Sequence, residues 1–140
     1  MKGFGSQIRS KSVKRLAVYQ KALEIFRLSR SITASANLSG LDIMDQYRHE
    51  NADVRLSDHL IMTSLGLAPK IAMAESTKDP NVKFHSIEAI RQSTDYLMNC
   101  CERLEQQGVT RKEFTRLLKK ELNKFGKLQQ KWAIRISAVN

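Results

Sequence analysis

Residues 80–136 read PNVKFHSIEAIRQSTDYLMNCCERLEQQGVTRKEFTRLLKKELNKFGKLQQKWAIRI, and this stretch decides the fold. Asp79 before Pro80 predicts a helix start, because aspartate caps exposed backbone N–H groups and proline suits the first helical position. Apolar residues then recur at three- and four-residue spacing, and Gly108 is the predicted stop. A helix over residues 80–107 follows from this pattern.

A second long helix is predicted over residues 110–136. Thr110 and Glu113 have the spacing of a capping box, with Val109 and Phe114 placed to form a hydrophobic staple. The predicted inward face carries Phe114, Leu118, Leu122, Phe125, Leu128 and Trp132, and the Trp132 ring is expected to fill the bundle end. Because the two helices are roughly 39 Å long and joined by a short turn, they must be antiparallel neighbours.

Two further helices are predicted upstream. The first, over residues 13–36, carries one apolar set (Leu16, Tyr19, Leu23, Phe26) and a second set beside it (Val18, Ala22, Ile25, Ile32). A face this broad indicates packing against another subunit as well as the bundle. The second helix, over residues 55–76, contains Pro69, which predicts a kink because proline removes one backbone hydrogen bond.

The remaining segments complete the domain organisation. Residues 1–12 are basic, contain Gly and Ser, and are expected to form a flexible arm. Residues 38–54 carry Asp42, Asp45, Glu50 and Asp53, and are expected to form a long connection. With no strand signal in the chain, the predicted fold is all-α: an up-down-up-down four-helix bundle over residues 13–140.

Charge is segregated along the chain, whose formal net charge is +10. Residues 1–30 hold eight Lys/Arg against one acid, residues 111–140 hold nine against two, and the middle of the chain is net acidic. A concentration of cations on helical surface attracts polyanions. This indicates a nucleic-acid partner, with a merely solubilising surface as the alternative.

A row of cations on the last helix makes that prediction specific: Arg116, Lys120, Lys124, Lys127, Lys131 and Arg135. Their spacing confines them to a sector of roughly 100°, and the row is about 28 Å long. Like charges one turn apart repel, so the row costs stability and is expected to contact phosphates. No aromatic or amide side chain interrupts it, which favours backbone contact over base reading.

The first helix contributes a second, more scattered candidate set: Lys14, Arg15, Lys21, Arg27 and Arg30. These residues do not form one stripe. Some of them are alternatively expected to pair with acids of the middle segment, for example across a subunit boundary.

The sequence gives little support for a catalytic site or a metal site. His49, His59 and His85 lack the spacing of a metal site, and Cys100 and Cys101 are adjacent, with no second pair at zinc-finger spacing. The two cysteines are expected to be reduced thiols of a cytoplasmic protein, one in the core and one at its edge. No catalytic residue, metal, cofactor, secretory signal or membrane partner is predicted.

Several short motifs resemble a known family. "LAVYQKALEIF" (Leu16–Phe26) and "LAPKIAMAES" (Leu67–Ser76) resemble segments of the bacterial four-helix-bundle family that includes proteins encoded in ribosomal RNA intervening sequences. "RLSRSI" (Arg27–Ile32), "YLMNCCERL" (Tyr96–Leu104), the V-T-R-K-E start of the last helix and "KWAIRI" (Lys131–Ile136) are most similar to the accessory variability determinant of diversity-generating retroelements.

The resemblance implies a function. Members of this family form barrel-shaped homopentamers, and the retroelement group binds nucleic acid and assists a reverse transcriptase in mutagenic copying of template RNA into cDNA. A non-enzymatic reverse transcriptase accessory, acting as a ring-shaped homo-oligomer, is therefore the expected function. The alternatives are an rRNA-intervening-sequence type bundle and a helical interaction module for an acidic protein.

Overall fold

The computed structural model describes residues 12–37, 55–108 and 110–138. Within these ranges the protein is all-helical and contains no strand. Five helices follow one another: α1 (Ala17–Asn37), α2 (Arg55–Leu65), α3 (Leu67–Ser76), α4 (Pro80–Gln107) and α5 (Lys112–Ala138). Residues 1–11 of the predicted arm, the acidic 38–54 connection with His49, and Val109 of the predicted staple lie outside the described residues, whereas Ser12 is helical.

The helices pack into a bundle around one core. Helix α1 contacts α2, α3 and α5, and α4 contacts the same three helices. The core takes apolar residues from all five helices, with Ile25, Leu60, Ile71, Ile90 and Phe125 among the most buried. None of the described helices combines the length and apolarity needed to cross a membrane.

Helices α4 and α5 run antiparallel, as their spacing in the sequence predicts. Near the turn between them, Lys119 Nζ lies 2.8 Å from Glu105 Oε2. At their far ends, Lys83 Nζ donates to the Ile136 carbonyl oxygen at 3.5 Å. The start of α4 therefore lies beside the end of α5.

Helix α4 has the predicted boundaries for the predicted reasons. Asp79 accepts a hydrogen bond from the Asn81 N–H at 2.9 Å, and Pro80 occupies the first turn. Gly108 ends the helix in the left-handed conformation, at φ 68°. Its N–H donates to the carbonyl oxygens of Leu104 and Glu105, which satisfies the end of the helix.

The Gly108 conformation gives a first testable prediction. Gly108→Ala should lower the free energy of unfolding by about 1–2 kcal/mol, because an L-residue is strained at positive φ. Gly126→Ala is the matched control: Gly126 has no positive φ, and an added Cβ would meet nothing within 4 Å. This second change should stabilise the protein by about 0.5–1 kcal/mol. Chemical denaturation measures both changes in the free energy of unfolding. If the two changes had the same sign, the prediction would be contradicted.

The predicted capping box at the start of α5 is wrong. The helix begins at Lys112, two residues later than expected, and its first turn is closed by the Phe114 N–H donating to the Arg111 carbonyl oxygen. Thr110 is only 8% exposed, and its hydroxyl has no hydrogen-bond partner among the described residues. The Thr110 side chain is therefore buried without capping the helix.

The predicted second helix is present as two helices separated at Gly66. The hydrogen bonds from the Gly66 N–H to Met62 and from the Lys70 N–H to Gly66 continue the helical pattern through the junction. Pro69 has no N–H to donate to Leu65, one turn earlier. The predicted kink is present as an interruption of the helix at Gly66, three residues before the proline.

Helix α1 buries only one of its two apolar sets. Val18, Ala22, Ile25 and Ile32 are buried in the core. Leu16, Tyr19 and Leu23 are partly buried and pack against the edge of the core. Residues 12–15 form a separate helical turn before α1, since Leu16 itself is not helical.

Candidate nucleic-acid interface

The six predicted cations of α5 lie on its exposed face, where they form the α5 cation row: Arg116, Lys120, Lys124, Lys127, Lys131 and Arg135. The opposite face of the helix carries Leu118, Leu122 and Phe125, all buried. The row is thus held on a rod whose other side is anchored in the core. This arrangement lets several side chains meet one polyanion without ordering a loop.

The α5 cation row is largely separate from carboxylates. Within the described residues, Lys124 is the member that forms an ion pair, at 3.2 Å from Glu121 Oε1. The described acids on α4 form ion pairs with cations outside the row or remain in solvent. Glu88 and Asp95 pair with Arg91, and Glu105 pairs with Lys119. Five members of the row therefore keep their charge available to a ligand.

A buried carboxylate joins α5 to α1. Glu121 Oε2 lies 2.6 Å from Lys21 Nζ, and Lys21 also contacts Glu24 Oε2 at 2.9 Å. The hydrogen bond from Lys21 is the main reason that the pKa of Glu121 lies below its ordinary value. The same bond, with that to Glu24, raises the pKa of Lys21. Both groups remain charged over the ordinary pH range.

The structure separates Lys21 from the other α1 candidates. Lys21 is partly buried and committed to Glu121 and Glu24, so the acids it pairs with belong to α5 and to its own helix. Of the middle-segment acids, the expected alternative partners, those at residues 42–53 lie outside the described residues, and none of the described ones forms an ion pair with Lys21. Lys21 acts as a link between helices, which removes it from the set suited to phosphate contact.

The other candidate cations of the predicted first helix remain on the surface. Lys14, Arg15, Arg27 and Arg30 are exposed. The Arg30 guanidinium lies 5.8 Å from the centre of the Phe26 ring, in a cation–π arrangement. Lys14 and Arg15 lie in the turn before α1, Arg27 and Arg30 lie on α1, and the four do not form a second row.

The start of the described chain lies near the end of α5. Ser12 and Val13 line one cavity with Glu75, and Glu75 Oε1 accepts from the Trp132 indole N–H at 2.7 Å. The contact between Lys21 and Glu121 lies further toward the start of α5. Helix α1 is therefore antiparallel to α5. Lys14 and Arg15 thus lie toward the same end of the bundle as Lys131 and Arg135.

Trp132 is buried, with its N–H bonded to Glu75. Its ring therefore packs inside the protein, as predicted, and does not present a face to a nucleic-acid base. The other aromatic side chains of α5 are Phe125, which is buried, and Phe114, which is partly buried and lies off the cation row. A ligand on the α5 cation row meets charge and not a stacking surface.

Both cysteines lie in the core, so the prediction of one peripheral thiol is wrong. Cys100 and Cys101 are each almost fully buried and form no disulfide. Burial raises the pKa of both thiols, that of Cys101 to about 12. Both side chains therefore stay protonated and behave as small apolar groups.

The described histidines are dispersed. His59 Nδ1 is within hydrogen-bond distance of the Tyr96 hydroxyl, and the His85 ring packs edge-on against Phe84. Over residues 12–37, 55–108 and 110–138, no three His, Cys, Asp or Glu side chains come together as a metal site would require.

Glu121 is the site residue that sequence reasoning missed. A signal was present: it lies three residues after Leu118 and four before Phe125, which places it on the edge of the apolar stripe. An acid at such a position needs a buried partner. Its partner, Lys21, is 100 residues away in the sequence, so no local pattern could identify the pair.

Comparison with known proteins finds no matching family model, no matching curated protein and no matching solved structure.

Proposed function

We propose that this protein is a non-enzymatic nucleic-acid-binding subunit that holds a phosphate backbone along the α5 cation row. The observation that supports this most is the exposure of all six cations on one face of a helix anchored by its other face. Arginine and lysine side chains bind phosphates through charge-assisted hydrogen bonds. Lys14 and Arg15 add positive charge toward the end of the bundle where Lys131 and Arg135 lie.

Binding through this surface is set by charge and shape more than by base sequence. Phosphate contacts orient a protein on nucleic acid but carry no sequence information. The row offers no exposed aromatic, and an exposed amide, Asn123, borders it between Lys120 and Lys127. RNA and DNA are both suitable ligands on these grounds.

The cellular role that we propose is that of an accessory to a retroelement reverse transcriptase, in the cytoplasm. Support comes from the motifs shared with the accessory variability determinant group, together with a basic surface suited to template RNA and cDNA. In this proposal the chain folds as an up-down-up-down bundle, with α2 and α3 as one bent segment. Copies would assemble into a ring, with Leu16 just before α1 and Tyr19 and Leu23 on α1, all partly buried, at the contact.

A salt titration tests nucleic-acid binding directly. Affinity for a mixed-sequence DNA or RNA duplex, measured by fluorescence anisotropy, should fall several hundred-fold between about 50 and 200 mM salt if about five phosphates are contacted. A polyglutamate competitor should displace the duplex only weakly. Failure of duplexes and single strands to bind at 50 mM salt would refute the proposal, and tight polyglutamate binding would favour an acidic protein partner.

The partner and assembly proposals have their own tests. Native mass measurement should give a multiple of the 16.0 kDa chain, and a monomer at micromolar concentration would contradict self-assembly. The reverse transcriptase proposal predicts that neighbouring genes encode a reverse transcriptase and a repeat pair. A ribosomal RNA operon around the gene would instead favour the rRNA-intervening-sequence alternative.

A further inference from the structure

Glu121 lies in the middle of the α5 cation row, between Lys120 and Lys124. Its side chain is 7% exposed, and each carboxylate oxygen faces a lysine: Oε2 faces Lys21 at 2.6 Å and Oε1 faces Lys124 at 3.2 Å. No other cation of the row has such a partner within the described residues. The centre of the row thus differs from its two ends.

Lys124 can leave this contact more easily than Lys21 can. The Lys124 side chain is 51% exposed, whereas Lys21 is largely covered and also held by Glu24. To bind a phosphate, Lys124 must first give up a charge-assisted hydrogen bond to a buried carboxylate. Lys120 and Lys127 have no such bond to break, so each should gain more from the same phosphate.

The local charge balance also makes the centre of the row less attractive to phosphate. Lys21 and Lys124 are offset by Glu24 and Glu121, so this part of the surface is close to neutral. The row is thereby divided into a pair, Arg116 and Lys120, and a triplet of Lys127, Lys131 and Arg135. The gap from Lys120 to Lys127 is about 10 Å along the helix.

We propose that Glu121 competes with phosphate for Lys124, and so limits the affinity of the α5 cation row for nucleic acid. The inference rests on the proposed function, since it concerns the same surface. Glu121 would then have two effects: its contact with Lys21 joins α5 to α1, and its contact with Lys124 keeps one cation of the row from the ligand. An internal carboxylate that occupies a binding lysine is an autoinhibitory contact.

A double-mutant cycle on Glu121 and Lys124 tests this, with a 20-base-pair mixed-sequence duplex as the probe at about 0.15 M salt. Lys124→Gln in the native sequence should weaken binding less than about twofold, whereas Lys120→Gln should weaken it about fivefold, the effect of losing one phosphate contact. Glu121→Gln should tighten binding about fivefold. Lys124→Gln added to Glu121→Gln should cancel that gain.

Glu113→Gln is the matched control, because Glu113 is an exposed acid on the same helix and forms no ion pair with the described residues. It removes the same charge without releasing a lysine, so binding should tighten less than about twofold. Equal gains from Glu113→Gln and Glu121→Gln would overturn the inference.

The outcomes separate this inference from the proposed function. If the native protein binds the duplex but Lys124→Gln weakens binding as much as Lys120→Gln, the Glu121 inference is wrong and the proposed function stands. If the native protein binds no nucleic acid, both are wrong. Circular dichroism checks that Glu121→Gln folds, and if it does not, the comparison of Lys124→Gln with Lys120→Gln decides alone.

Discussion

Replacing Lys120, Lys127 and Lys131 together by glutamine should lower the affinity for nucleic acid about 100-fold at 0.15 M salt. These three side chains are exposed on the α5 cation row and form no ion pair within the described residues. Each is expected to release about one counterion from the ligand, so the salt dependence should become shallower as well. Fluorescence anisotropy across a salt series measures both quantities.

Net charge alone should not produce such a loss, and a matched variant tests this. Arg27, Lys78 and Arg103 are also exposed, but none of them lies on α5. Their combined replacement by glutamine removes the same three charges and should weaken binding less than about fivefold. If the two triple variants weaken binding equally, the protein attracts polyanions through its total charge and the row is not the binding site.

The buried face of the same helix gives the largest expected effect on stability. Phe125→Ala should lower the free energy of unfolding by about 3–5 kcal/mol, because the ring is fully buried and its removal leaves a cavity. A domain has only about 5–15 kcal/mol of stability in total. Thermal and chemical denaturation should therefore show a large shift, with loss of the folded state at moderate temperature.

Leu117→Ala is the control for this change. Leu117 is on the same helix but 43% exposed, so its truncation should cost about 1 kcal/mol or less. A Phe125→Ala protein as stable as Leu117→Ala would show that α5 is not anchored as described. In that case the rigid presentation of the α5 cation row would also be in doubt.

Local chemistry explains which helix boundaries could be predicted from sequence. Asp79, Pro80 and Gly108 each act on the backbone within one helical turn of themselves. The structure has all three in the predicted roles. Thr110 has an equally clear local signal, yet its side chain is buried and does not cap α5. Tertiary packing outweighs a capping preference of about 1 kcal/mol when the two conflict.

The candidate site also has features that local sequence predicts and features that only tertiary packing decides. Spacing alone placed six cations of α5 on one face, since the period of a helix determines which residues share a side. Spacing could not show that Lys21 turns inward to Glu121, because the two residues meet only when α1 packs against α5. The same limit applies to the burial of both cysteines and to the choice of which α1 apolar set enters the core.

The sequence by itself therefore determined the helical class, the ends of α4 and the cation row of α5, all of which follow from interactions within a few residues. Only the tertiary structure decided which cations remain available, because Glu121 binds Lys21 and Lys124 once two distant helices are in contact. Charge in a sequence is counted residue by residue. Its effect on a ligand depends on the partner that folding brings within about 3 Å.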